Sequence, residues 1–563
     1  MNEHTHSVSR RSFLTRGLVT AAAAASGLTA GGLLKTAEAA AEVIGPLGDK
    51  GRGVRAYAIR HKAALAQKRT KRPRQDANGD EELYANRISN YSKGLPHNAL
   101  GEVDTGAYHA LLRALHTGSP EDFEAIPMGS SPGVLRRKLV NPQAALAFDL
   151  EGADSHALAV PPAPAFSSLE QVGEIVESYW MSLTRDVPFS DYATNPLTVA
   201  AMDDLSALSD FRGPKFQGQV TPQTLFRDAL PGTTVGPYLS QFLWMPVPFG
   251  ANYVEQRMRT TAPGVNFLTN YGEWLSVQNG AQPTVSLQYD PVRRYIRNGR
   301  DLAQWVHIDV LFQAYFHAML IMLAGPDADD FHSSGMGMPF DAGNPYASSQ
   351  TQDAFATFGA PHIASLMCEV ATRALKAAWY QKWSVHRRLR PEVFAARVHN
   401  HLRGIRAYPF AVDELLGTHV ISEMSTRYNN SYLLPVAFPE GSPLHPSYAA
   451  GHATVAGACV TVLKAWFPED YVIQNAVTVA ADGLSLLPYS GPPLTLGGEL
   501  NKLASNVATG RNIAGVHWRS DAAESLKLGE AVAISVLRDQ QLTYNENFDG
   551  FSLTRFDGTS VTV

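Results

Sequence analysis

The chain is poor in cysteine: 563 residues hold only Cys368 and Cys459. That excludes a disulfide scaffold, a cysteine-rich zinc module and a four-cysteine iron–sulfur cluster. No C-x-x-C-H string occurs, so covalently attached c-type haem is excluded as well. Both cysteines lie in apolar helical contexts, where buried free thiols are expected rather than a bridge. There is also no basic excess. Lys and Arg total 47 against 52 Asp and Glu, a net charge of −5, which argues against a nucleic-acid binder. What the chain does have is core material: 45% of residues are hydrophobic, with 21 Tyr, 24 Phe and 8 Trp. Length alone suggests three or four domains, or one large helical unit.

The first residues read as an address. Ser9-Arg10-Arg11-Ser12-Phe13-Leu14 precedes an Ala/Gly/Leu-rich stretch from Leu18 to Leu34, then the small-x-small signature Ala37-Glu38-Ala39. Twin arginines before a mildly apolar stretch resemble a twin-arginine export signal over residues 1–39, cleaved on export. The expected location is the periplasm or outside the cell. The stretch is too short and Ala/Gly-rich for a stable membrane span, so no membrane anchor is expected after cleavage.

Residues 40–66 read as a helix. A solvated basic run, Lys68 to Arg74, and acidic Asp76 to Glu82 come next. Asp76, Asn78 and Asp80 match a calcium loop poorly, because Gly79 precedes Asp80 instead of following it. Residues 40–300 form a helical, loop-rich part, with many Pro and Gly between 120 and 300. Gly129-Ser130-Ser131-Pro132-Gly133 fits the G-x-S-x-G string of esterases but lacks the preceding strand that a nucleophile elbow needs.

Residues 301–545 are strongly helical. Leu302–Ala324 reads as one core helix interrupted by His307, Asp309, Gln313 and His317. Further helices are expected over 354–385, 412–428, 449–466, 498–509 and 517–545. In the last part, 546–563, apolar–polar alternation around Asp557-Gly558 signals a hairpin. The fold class is mainly α, a large helical bundle with a short C-terminal β-hairpin.

Three motifs in the helical part share one chemistry. In Lys382-Trp383-Ser384-Val385-His386-Arg387-Arg388-Leu389-Arg390-Pro391, four basic side chains crowd a helix end. Taken alone, that is a solvated helix terminus favourable to the dipole. Lys382 and Arg390, eight apart, lie about 80° out of alignment on a straight helix. They converge only if the helix ends between them, and Pro391 disfavours helical geometry at Arg390. In His445-Pro446-Ser447-Tyr448-Ala449-Ala450-Gly451-His452-Ala453, Gly451 opens an apolar helix whose free amides favour an anion. In Arg511-Asn512-Ile513-Ala514-Gly515-Val516-His517-Trp518-Arg519-Ser520-Asp521, His517 and Asp521 are spaced as neighbours on one helical face. A carboxylate on one imidazole nitrogen leaves the other free as ligand or nucleophile, and Arg511 can clamp an oxyanion. Together these residues make a tetrahedral-oxyanion pocket with a nucleophile and an acid–base group.

This ordered set, Lys382…Arg390-Pro391, Pro446-Ser447…Gly451-His452, Arg511…His517…Asp521, resembles the vanadium-dependent haloperoxidases. These share their site with the type-2 phosphatidic acid phosphatase superfamily. The seven residues between Lys382 and Arg390, and His445 seven before His452, are similar to bromoperoxidases. The stretch Gly236-Pro237-Tyr238 to Arg257 is similar to bacterial haloperoxidases. The resemblance implies the helical-bundle domain of the vanadium haloperoxidase and acid phosphatase type, with vanadate as cofactor. It implies vanadium on His517 Nε2, with Lys382, Arg390, Arg511 and the Gly451 amide around its oxygens. It further implies Asp521 orienting His517, His452 as acid–base group towards hydrogen peroxide, Lys382 polarising the peroxide, and His445 tuning towards bromide. The partners implied are hydrogen peroxide, halide and small organic substrates, with homo-oligomerisation common and no nucleic acid. The family usually places Ser immediately before the Gly-His pair, and this chain has Ala450. One hydrogen bond to a charged group, about 1.5–3 kcal/mol, is thereby removed, and Ser447 is the nearby candidate to replace it. Two alternatives share the pocket: a periplasmic acid phosphatase using a phosphohistidine at His517, and a non-catalytic anion-binding protein.

Overall fold

A computed structural model describes residues 49–129, 135–324 and 336–563. The export segment and most of the Gly129–Gly133 string lie outside the described residues. The chain divides into two compact units, one ending at Thr70 and the other running Lys71–Val563, so the expected 40–300 part straddles a boundary. In the first unit the described residues form one helix, Asp49–Arg69, which takes in Lys68 and Arg69 from the expected basic loop.

The second unit is mainly α. Its core centres on Gly451–Trp466, packed against Ala360–Tyr380, Leu496–Ile513 and Arg519–Gln541. The approach to Arg519–Gln541 is very close. A Cβ at Gly457 would stand 2.0 Å from Leu526 O, and one at Gly529 1.9 Å from Thr454 O, so glycine is required at both crossings. Almost every side chain of Gly451–Trp466 is buried, which is why its sequence is apolar on all sides.

The N-terminal half contributes one deeply buried helix, Leu169–Leu183, started by Ser168 Oγ accepting from Gln171 N at 3.1 Å. Residues 171–183 of it are all buried, including Gln171, Glu174 and Glu177. Among the described residues, the strands form four two-stranded antiparallel pairs. The last is the expected C-terminal hairpin, Ser552–Thr554 with Ser560–Thr562, in register Leu553↔Val561, turning at Gly558 with φ 84°.

Several expected helices are cut. The span 302–324 is two helices, Gly299–Trp305 and Gln313–Leu323, separated at the polar positions His307 and Asp309. The span 412–428 is Val412–Leu416 and His419–Arg427, broken around Gly417-Thr418. The helix expected over 354–385 is Ala360–Tyr380 followed by one wide π turn, Gln381–His386. Asp80 is buried and accepts from Asn78 Nδ2 and Phe166 N, an internal network in place of a calcium loop. Both cysteines are free, Cys459 buried and Cys368 half-buried. Among the described residues, no helix is long and apolar enough to cross a membrane.

Candidate active site

The first motif is shaped by its helix end. After the π turn, Arg387 adopts a left-handed conformation (φ 39°, ψ 41°). Arg390 is extended (φ −90°, ψ 156°), and Pro391 starts a new helix, Pro391–Leu402, which the motif did not announce. The break between Lys382 and Arg390 is therefore real, and both side chains end fully buried on the same site.

Lys382 Nζ donates to Pro446 O at 2.6 Å and Ser447 O at 2.8 Å, tying the first motif to the second. Arg390 spans all three motifs. It donates to His445 O and His445 Nδ1, each at 2.9 Å from Nη2, and to Val516 O at 2.7 Å and His517 Nε2 at 2.9 Å from Nη1. On the other side of the His517 ring, Nδ1 lies 2.8 Å from Asp521 Oδ2. A guanidinium can only donate and a carboxylate can only accept. His517 therefore carries its proton on Nδ1 and presents a lone pair at Nε2.

The His517–Asp521 contact forms differently from the expected one. His517 precedes the helix, which begins at Arg519, and Asp521 is its third residue. The carboxylate turns back over the helix start, also accepting from Trp518 N at 3.1 Å. Ser447, the candidate replacement for the hydroxyl absent at Ala450, is occupied elsewhere. Its Oγ donates to Asp521 Oδ2 and lies on the Nδ1 side of His517, away from Nε2.

Gly451 is the first residue of the Gly451–Trp466 helix, and Ala450 at its N-cap supplies no side-chain cap. The helix N-terminus thus opens uncapped onto a cavity of about 340 Å³. Gly451, His452, His445, Arg511 and His517 all line it, together with Trp379, Phe438, His307 and Glu440. Lys382, Arg390 and Asp521 stand behind that lining. Trp379 packs on His445 with ring centroids 4.8 Å apart. Arg511 donates to Val306 O at 2.8 Å, lies over the Phe438 ring at 5.5 Å, and has its Nε without a partner.

The electrostatics favour an anion. Lys382 is held well below its ordinary pKa by burial, then by the charges of Arg390 and Arg511, against the pull of Asp521. Arg390 is lowered to about 10, chiefly by burial, and Arg511 is lowered by burial. Burial, then Arg390, Lys382 and Arg511, holds His517 well below 6.5. Burial followed by Lys382 and Arg390 does the same to His445. Both imidazoles are neutral at neutral pH. Among the described residues, Lys382, Arg390 and Arg511 make hydrogen bonds to carbonyls and imidazoles but no ion pair with a carboxylate. Three buried basic groups without an ion-paired carboxylate, beside an uncapped helix end and an imidazole lone pair, fit a tetrahedral oxyanion bound through one nitrogen.

Three participants escaped the sequence reasoning. Asp309 Oδ1 lies 3.1 Å from His452 Nε2. His307 Nε2 lies 2.6 Å from Glu440 Oε1, and the His307 ring stacks on Phe438 at 3.8 Å. Arg388 reaches Asp521 Oδ1 at 2.9 Å. The only signal for the first two was the polar His307-x-Asp309 interruption of an apolar segment.

Residues 363–546 match the family model described as the VCPO second helical-bundle domain. The chain is 39% identical to a vanadium-dependent bromoperoxidase of Corallina pilulifera, over 86% of this chain and 94% of that protein. It is 36% identical to one of Ascophyllum nodosum, over 83% and 85% of the two chains. The solved homohexameric structure of a second vanadate-dependent bromoperoxidase of Ascophyllum nodosum superposes with a TM-score of 0.85 at 30% identity. That superposition covers 92% of this chain and 91% of that one.

Proposed function

This chain belongs to the vanadium-dependent bromoperoxidase family and is a vanadium-dependent haloperoxidase; from that premise we propose how its residues divide the work, and that bromide is its halide. The observation that carries the reading is the lone pair of His517 Nε2 among three buried cations that lack carboxylate partners.

His517 would hold vanadate through Nε2, with Asp521 fixing the ring and its tautomer. Lys382, Arg390 and Arg511 would neutralise the oxygens, with the Gly451 amide donating from the helix N-terminus. Vanadate, when bound, supplies a Lewis-acidic centre that makes hydrogen peroxide electrophilic towards halide. His452 lines the cavity and is the group to take a proton from hydrogen peroxide and return it to the departing oxygen. Asp309, at Nε2, holds His452 in place for this. Lys382 is placed to stabilise negative charge as the peroxide bond breaks. Overall, hydrogen peroxide, halide and one proton give hypohalous acid and water, and the acid then halogenates organic compounds. The family names support bromide, and His445, wedged between Trp379 and Arg390, is placed to tune halide preference.

The twin-arginine segment supports export to the periplasm or beyond, and the homohexameric relative supports self-association. The same donor set would accept phosphate, with His517 as nucleophile. Purified protein assayed with and without vanadate separates the two. Peroxide-dependent bromination that requires vanadate supports the haloperoxidase, whereas phosphate-ester hydrolysis without bromination overturns it.

A further inference from the structure

Neither Arg388, in the basic cluster of the first motif, nor Glu174, in the N-terminal half, lines the cavity. Both are almost completely buried. Arg388 Nη1 donates to Asp521 Oδ1 at 2.9 Å and to Ser520 Oγ at 2.8 Å. Its Nη2 donates to Glu174 Oε2 at 2.6 Å and Gln171 Oε1 at 2.9 Å. The other Glu174 oxygen accepts from Ser520 N at 2.6 Å, one residue before Asp521. Gln171 and Glu174 are three apart on the buried helix Leu169–Leu183, so one face of it carries both groups to the back of the site.

Asp521 is fully buried and is, among the described residues, the carboxylate paired with His517. Of its four donors, His517 Nδ1, Ser447 Oγ and Trp518 N are neutral. Among the described residues, Arg388 is the only permanent cation paired with it. A buried carboxylate left without this partner would draw on the cations nearby, and these are Lys382 and Arg390, both of which feel its charge.

We propose that Arg388, anchored by Glu174 and Gln171, is a positioning residue that claims Asp521 Oδ1, so that Oδ2 serves His517 Nδ1 and Lys382 and Arg390 stay unpaired for the oxyanion. It rests on the vanadate reading of the cavity. It also gives the N-terminal half a defined part in the chemistry: Glu174 and Gln171 hold the arginine that keeps Asp521 from Lys382 and Arg390.

The test measures vanadate affinity by equilibrium dialysis, and the His517 tautomer by 15N NMR of histidine-labelled, vanadate-free protein. The His517 resonances are assigned against His517→Gln. Arg388→Met is expected to weaken vanadate binding about 10–100-fold, the usual effect of removing a partner that orients a ligand. Arg388→Lys should recover part of the loss, because an ammonium can meet Asp521 but cannot also fork to Glu174. Arg388→Met leaves Glu174 buried and unpaired, so the double variant Arg388→Met/Glu174→Gln separates folding from function. It removes both charges, should melt near the wild-type temperature, and should still lose vanadate affinity to the same degree. In both Met variants the Nδ1–H signal of His517 should give way to mixed tautomers. A double variant that binds vanadate within twofold of wild type and keeps the Nδ1–H signal would overturn the proposal. If wild type takes up no vanadate while the tautomer still shifts in the double variant, the proposal stands and the vanadate reading fails.

Discussion

Asp521 reaches back from the first turn of its helix to take His517 Nδ1 at 2.8 Å, while Arg390 Nη1 meets Nε2 of the same ring at 2.9 Å. One imidazole is thus held between an obligate acceptor and an obligate donor, and its lone pair points to the side where the cations lie. Asp521→Asn offers His517 an amide that can present either end, so only Arg390 still enforces the tautomer and the ring loses its charged anchor. Vanadate affinity, measured by dialysis, is expected to fall about 10–100-fold, with the fold intact by circular dichroism. Unchanged affinity would mean that Asp521 does not set the ring.

Ala450 stands at an uncapped helix N-terminus on the cavity, where the family usually has serine. Ala450→Ser is expected to tighten vanadate binding about tenfold or more, in line with a regained charge-assisted hydrogen bond. A raised melting temperature with unchanged affinity would show instead that the new hydroxyl caps its own helix. Ser447 cannot substitute in the wild type, because Asp521 holds its hydroxyl.

Lys382 is depressed by burial, with Arg390 and Arg511 adding to the effect. In the unfolded chain it binds its proton more tightly, so burying its charge opposes folding: the penalty is full below its lowered folded pKa and is lost as pH rises from there to 10.5. Lys382→Met is therefore expected to raise the melting temperature of the vanadate-free protein at neutral pH while abolishing vanadate uptake. An oxyanion reverses the depression, so binding should take up protons and weaken as pH rises. Calorimetry in two buffers of different ionisation enthalpy reads this directly. Net proton release on binding, or an affinity that does not fall as pH rises, would contradict it.

His452 lines the cavity and contacts Asp309 at 3.1 Å. His452→Ala is expected to lower kcat for bromide oxidation by about 10²–10⁴-fold, the range for a lost acid–base group, with vanadate affinity changed little. Asp309→Asn should fall between that variant and wild type. A His452→Ala enzyme that keeps its kcat would remove His452 from the chemistry.

The parts legible in the sequence were local. Pro391 announced the extended Arg390, the four-residue interval announced His517 with Asp521, and Gly451 announced a helix start. The parts that were not legible depend on chain segments far apart. Arg388 meets Asp521 across 133 residues and Glu174 across 214, and no periodicity encodes such pairings. The break between Trp305 and Gln313 was hidden for a related reason. An apolar run reads as one helix until a tertiary partner, here His452, gives Asp309 a reason to leave it. The His517–Asp521 spacing fitted a helical face, yet the contact arises at a helix start, where free amides compete for the same carboxylate.

If His517, in its cradle of Lys382, Arg390 and Arg511, holds the vanadate, bromide oxidation by this chain depends on both. The most direct measurement is a vanadate titration of metal-stripped protein, following peroxide-dependent tribromide formation in wild type and His517→Ala. Activity should rise from baseline and saturate at one vanadate per chain in wild type, and stay at baseline in His517→Ala. Bromide oxidation that is independent of vanadate, or that vanadate restores equally in His517→Ala, would contradict it.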